Sequence, residues 1–184
     1  MSTTRLLVLG AVKIFQPVHG YDVRRELLTW GVADWAHVQP GSIYHHLRTL
    51  ERDRMLSVAG VDKEGARPAR TSYQLTDDGD GEFSRMLRET FWRVTGRPED
   101  LMAALCFLPF LSREEAIAAL ESRLNQINDV TRGMSFWSPE AYKPEHVREV
   151  FLLSGAQIRA EADWARELIE RLRSGAYQMS DENT

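Results

Sequence analysis

Cysteine is almost missing: Cys106 is the only one in 184 residues. That excludes an intramolecular disulfide and any cysteine-built metal centre. Lying inside the apolar run ALCFLPF, the thiol reads as a buried filler rather than a redox sensor. Long hydrophobic runs are missing as well, and nothing approaches the ~18 apolar residues of a membrane span. The opening stretch MSTTRLLVLGAVKIF is short and lacks a small-residue cleavage site, so a core helix is expected rather than a signal peptide. With one cysteine and no span, a cytoplasmic protein without membrane contact is expected. There is no phosphate-binding glycine loop, nucleophile elbow or paired-histidine metal motif, so neither an enzyme nor a cofactor is expected. His45 and His46 are adjacent, which on a helix points them ~100° apart, and no carboxylate or cysteine stands at chelating spacing. A metal site is therefore not expected either.

Excess positive charge is also lacking: the formal net charge is −4. Its distribution matters more than its sum. The first 95 residues carry 13 basic and 12 acidic side chains, the remainder 10 and 15. A nucleic-acid partner would feel the field of one face, not the total.

What is present is an ordinary soluble composition, 43% hydrophobic and 27% charged, in a chain long enough for one ample core or two small ones. A first helix is predicted from Arg5 to Phe15, with Leu6, Leu9, Val12 and Phe15 on one side. Pro17 stops it, and Val18-His19-Gly20 turns the chain into a second helix over Tyr21–Trp30, closed by Gly31. A third opens at Pro40, suited to a first helical position, and reaches Asp53. Strands follow at Leu56–Val61 and Arg70–Leu75 around the tip DKEGARPA. Thr76-Asp77-Asp78 starts a fourth helix to about Thr95, and Gly96-Arg97-Pro98 breaks the chain.

Helix, helix and a hairpin with a basic tip make a winged helix-turn-helix, in which one helix enters the DNA major groove beside a gripping hairpin. The phrases HGYD, GSIYHHLRTLE and RTSYQLTDDG resemble the PadR family of bacterial transcriptional regulators, strongly over about the first 95 residues and loosely beyond. On the third helix Ile43, Leu47 and Leu50 form a core stripe. Ser42, His45, Thr49 and Arg52 lie opposite, flanked by Tyr44 and Arg48, while Gly41 and Ser42 offer first-turn N–H groups to a phosphate. The resemblance assigns DNA contact to Tyr44, with Ser42 beside it. Two departures stand out: Gln39 replaces the usual Ser or Thr cap, and His45 replaces a proline or small residue. Base preference is therefore expected to depend on His45. Lys63, Arg67 and Arg70 on the wing are candidate phosphate ligands, diluted by Asp62 and Glu64. One of Arg24 and Arg25, either of which Asp22 or Glu26 could instead claim, and Tyr21 in the GY turn complete the candidate interface.

The second half reads as helical. Helices are predicted from Pro98, from Ser112 (a capping box with Glu115) to Arg132, and from Pro144 to Ser174, around an irregular aromatic segment Gly133–Lys143. The last helix carries an apolar seam of Val147, Phe151, Ile158, Ala165, Leu168 and Leu172, interrupted by Ser154 and Glu161. The tail SDENT is expected to be disordered. The fold expected is thus mainly α: a winged helix-turn-helix domain with one β-hairpin over residues 1–95, then an all-helical dimerisation domain over 96–184. The resemblance also implies that related proteins with an extended C-terminal part, including a subgroup related to a virulence-gene activator, dimerise through it. It implies that some hold flat aromatic effectors between protomers, which makes Trp92 and Trp137 candidate stacking platforms. The expected function is a homodimeric repressor on a pseudo-palindromic promoter site in double-stranded DNA, released by a small aromatic effector. Two other readings stay open: a winged-helix adaptor that docks on protein, motivated by the acidic balance, and a small-molecule carrier built on the tryptophans.

Overall fold

The computed structural model describes residues 2–62, 70–94, 97–135 and 145–182. The chain divides into two compact units, one formed by Met1–Thr90 with Thr95–Phe107, the other by Phe91–Val94 with Leu108–Thr184.

The first unit is built around α1 (Thr3–Phe15), capped by Ser2, whose hydroxyl accepts from the Arg5 N–H. Every residue from Leu6 to Val12 is buried, so the helix is apolar all round rather than one-sided as its spacing predicts. Neighbours surround it: α2 (Gly20–Thr29), α4 (Pro40–Arg52), β3 (Arg70–Leu75) and α6 (Pro98–Leu105). The α6 contact is close. A Cβ on Gly10 would stand 2.2 Å from the ring of Phe107, just past the end of α6. A short α3 (Val32–Trp35), absent from the sequence reading, fills the turn between α2 and α4. It begins at Gly31, whose φ of 72° lies in the left-handed region that favours glycine.

The sheet has three strands, not two. β1 (Val18–His19), read from sequence as a turn, pairs antiparallel with β3, and β2 (Leu56–Asp62) flanks β3 on its other side. Register along the hairpin runs Leu56 to Leu75 and Val58 to Tyr73, then resumes at Gly60 opposite Ser72, so Ala59 is the extra residue of a bulge. Thr76 joins wing to helix. Its hydroxyl donates to the Arg54 carbonyl at 2.7 Å and accepts from Gly79 N–H at 3.0 Å, capping α5 (Asp77–Trp92).

In the second unit α7 (Arg113–Ser135) packs on α8 (Arg148–Arg173). Ser112 accepts from the Glu115 N–H at 3.1 Å, as the capping box predicts. Helix α7 continues through Gly133–Ser135, beyond the predicted stop at Arg132, and residues 136–144 lie outside those described. Before α8 comes a 3-10 turn, Glu145–Val147, so the helix proper begins later than Pro144. On α8 Ala162, Ala165, Leu168, Ile169 and Leu172 are buried, while Val150, Leu152 and Leu153 near its start are exposed. Glu161, an interruption in the sequence seam, meets Arg123 of α7 at 2.5 Å; Arg123 is 2% exposed and also donates to the Arg93 carbonyl at 2.8 Å. The tail differs from expectation. Ser180–Glu182 forms a 3-10 turn behind the buried Met179, clasped by Arg113, which pairs with Glu182 and donates to the carbonyls of Tyr177 and Leu172.

Candidate nucleic-acid interface

Helix α4 is divided as a groove-entering helix must be. Ile43, Leu47 and Leu50 are at most 1% exposed, and full burial of such side chains stabilises by roughly 1.5–3 kcal/mol each. Pro40 sits at its first position, and Gln39 makes no side-chain cap bond, as its departure from Ser or Thr implies. Away from the core, Gly41, Tyr44, His45, Arg48 and Arg52 are exposed and Ser42 and Thr49 half-buried. Ser42 turns its hydroxyl back to the Gln39 carbonyl at 2.7 Å. A Cβ at Gly41 would meet nothing within 4 Å, which leaves the first-turn backbone open.

The cations of this face fall into two groups. Arg25 is held by Asp22 at 2.8 Å and Glu26 at 3.1 Å, and the Glu26 hydrogen bond, helped by Asp22, raises its pKa. Arg52 closes on Asp53 at 3.1 Å. By contrast Arg24, Arg48 and Arg70 have no ion pair among the described residues. Arg24 is half-buried on α2, while Arg48 and Arg70 stand exposed on α4 and β3. Lys63 and Arg67 lie outside the described residues.

Arg48 and Arg70 line one cleft of about 340 Å³, together with His19, Gly20, Tyr21, Tyr44, Leu47, Thr71 and Tyr73. Of these, Tyr21 (59% exposed) and Tyr44 (37%) stand at the rim. Tyr73 is buried beneath them, and burial, reinforced by Glu51, pushes its pKa up, so its hydroxyl stays protonated. A Cβ on Gly20 would meet Leu47, Tyr73 and Tyr44 at 3.3–3.7 Å, so the glycine lets α2 approach both the helix and the wing. Sequence reasoning missed His19, Thr71 and Tyr73 as lining residues. A two-residue strand is too short to show alternation, and only its pairing with β3 brings them to α4.

Deeper in α4, His46 has a buried Nδ1 with no hydrogen-bond partner among the described residues, and burial lowers its pKa, aided by His45 and Arg5. Of the tryptophans singled out, Trp92 at the end of α5 is 42% exposed, its carbonyl accepting from Gln126 Nε2 at 2.9 Å. Trp137 lies outside the described residues.

Two helices packed on each other and followed by a strand pair, the second helix apolar inside and cationic outside, define a winged helix-turn-helix protein, with further helices following in the chain. Residues 8–85 match the transcriptional regulator PadR-like family. That family is one of regulators, not of enzymes. Solved structures that the chain resembles include Bacillus subtilis PadR in complex with operator DNA, 18% identical, covering 91% of this chain and 98% of that one at a TM-score of 0.41. A PadR-like transcriptional regulator from Bacillus cereus is 18% identical over 91% and 94%, with a TM-score of 0.38. Bacillus subtilis PadR in complex with p-coumaric acid is 16% identical over 93% and 99%, with a TM-score of 0.37. No curated protein matches the sequence. No helix of the described residues is long and apolar enough to cross a membrane.

Proposed function

We propose that this protein is a sequence-specific DNA-binding transcriptional regulator, a repressor that occupies a pseudo-palindromic promoter site as a homodimer. The observation that carries the reading is the two-sidedness of α4. Its buried stripe fixes the helix, while Tyr44, His45 and Arg48 face outward beside the exposed Arg70 of the wing. The same reading assigns DNA contact to Tyr21, Arg24, Gly41, Ser42, Thr49 and Arg52, and to Lys63 and Arg67 in the sequence between β2 and β3. Arg52 fits despite Asp53, since an exposed pair is worth at most ~1 kcal/mol and exchanges readily for a phosphate.

One recognition helix reads only a few base pairs, so useful affinity calls for two copies on half-sites about one or two helical turns apart. The exposed Val150, Leu152 and Leu153 on α8 support residues 96–184 as the dimerisation part. The exposed Trp92 supports an aromatic effector that shifts the spacing of the two α4 helices, by no more than its differential affinity for the two spacings.

The test is retention of the gene's own upstream DNA at 50 and 200 mM salt, followed by footprinting with and without aromatic carboxylic acids. Steep loss of affinity with salt and a two-fold symmetric footprint are expected. Absence of any retention at low salt would instead favour the protein-docking adaptor, which the net charge of −4 motivates.

A further inference from the structure

We propose that the cleft beside α4 seats a single backbone phosphate of the duplex, and that this contact sets how far α4 enters the major groove. The inference rests on the DNA-binding reading above and adds to it a particular subsite with residues outside α4.

Four elements build the cleft. The end of β1 supplies His19, the first turn of α2 Gly20 and Tyr21, α4 Tyr44, Leu47 and Arg48, and β3 Arg70, Thr71 and Tyr73. Its floor is closed by Leu47, 1% exposed, and Tyr73, 9% exposed. Its rim carries two guanidiniums from different elements, neither in an ion pair among the described residues, and two exposed phenols. Polar donors around a closed floor suit an anion with several oxygens better than a flat apolar ligand. The N-cap of α2, His19, makes no side-chain cap bond to the first-turn N–H groups beside the cleft.

Carboxylates near the cleft do not block it. Asp22 lines an adjoining hollow of about 300 Å³ but is bound to Arg25 at 2.8 Å. Glu51 is engaged with Tyr73 and does not line the cleft. The anion is assigned to DNA because Tyr44 and Arg48, one turn apart, belong at once to the cleft and to the outward face of α4. A phosphate seated there is pinned between helix and wing strand. Depth of insertion then follows from the rigid join of β1, β3 and α4, not from base contacts.

The experiment measures binding of duplexes recovered from a random-sequence library, each carrying one neutral methylphosphonate stepped through the half-site. Wild type, Arg70→Gln and Tyr21→Phe are compared, with thermal melts confirming that all three fold. One position per half-site is expected at which neutralisation weakens wild type about tenfold, as for loss of a charge-assisted hydrogen bond, yet weakens Arg70→Gln less than about twofold. Tyr21→Phe should show a partial version of the same coupling. If wild type binds DNA but no position is coupled to Arg70, the seat is refuted while the regulator reading survives. Saturable phosphorus-NMR broadening of inorganic phosphate, lost in Arg70→Gln without any coupled DNA position, would assign the cleft to a free anion and overturn the proposal. No DNA retention at low salt removes the regulator reading itself, and the seat with it.

Discussion

Gly10 of α1 lies so close to the ring of Phe107 that a Cβ there would stand 2.2 Å from Cζ. Phe107 is fully buried and packs edge-on against Phe83 at 5.4 Å and Trp30 at 5.9 Å, so it has nowhere to retreat. Gly10→Ala is therefore expected to cost about 1–3 kcal/mol through overpacking, despite alanine's better helix propensity. That is a fall of roughly 2–12 °C in Tm for a chain of this size. Gly41→Ala, which meets nothing within 4 Å, is the control and should hold or slightly raise Tm.

His45 and Arg48 should fail in different ways. His45→Ala is expected to lose about 1–3 kcal/mol on the preferred site and to flatten discrimination between bases at one position. Arg48→Gln should weaken all sequences alike and reduce the slope of log affinity against log salt by about 0.9 per protomer. Binding isotherms on preferred and scrambled duplexes at several salt concentrations separate the two. Unchanged affinity and preference in Arg52→Ala would mean that the wrong face of α4 has been assigned.

Acid should loosen the first unit through His46. Its folded pKa is lowered, chiefly by burial, so the unfolded chain binds a proton more readily than the folded one. The neutral form's stability is fully present above the unfolded value of about 6.5 and is lost as pH falls through the folded value. Tm measured from pH 7.5 to 5 should decline. His46→Gln should decline less over the same interval, and equal slopes would rule His46 out as the cause.

Arg123 is expected to matter more than its partner. Arg123→Met leaves Glu161 and the Arg93 carbonyl without their donor at the α7–α8 contact, a loss of about 1–3 kcal/mol. Glu161 is 30% exposed, so Glu161→Gln should cost less. Chemical denaturation of both variants gives the comparison.

Local chemistry made much of this architecture readable. Pro40, the Ile43, Leu47 and Leu50 stripe, the Arg70–Leu75 strand and the Ser112 cap each declare themselves within a few residues, and the structure places them as read. What escaped depends on distant partners. β1 has two residues and exists only because β3 pairs with it. The all-round burial of α1 needs Phe107, nearly a hundred residues away. Glu161 looks like a flaw in an apolar seam until Arg123 is seen opposite it. Order in Ser180–Glu182 depends in the same way on Arg113, which nothing in the tail announces. For the candidate interface, residue types on α4 were legible. The separation of Arg25 and Arg52, held by carboxylates, from Arg48 and Arg70, which have no ion pair among the described residues, was not, because it is set by which carboxylates fall within reach.

The extra residue at Ala59 leaves a mark beyond the wing itself. β2 is an outer strand with exposed valines at 58 and 61, the kind of ribbon on which a stray chain can template itself. Breaking the hydrogen-bond rhythm halfway along denies such a visitor a straight run of donors and acceptors. Straightening it, by deleting Ala59, should yield a protein that still folds but clumps on concentration.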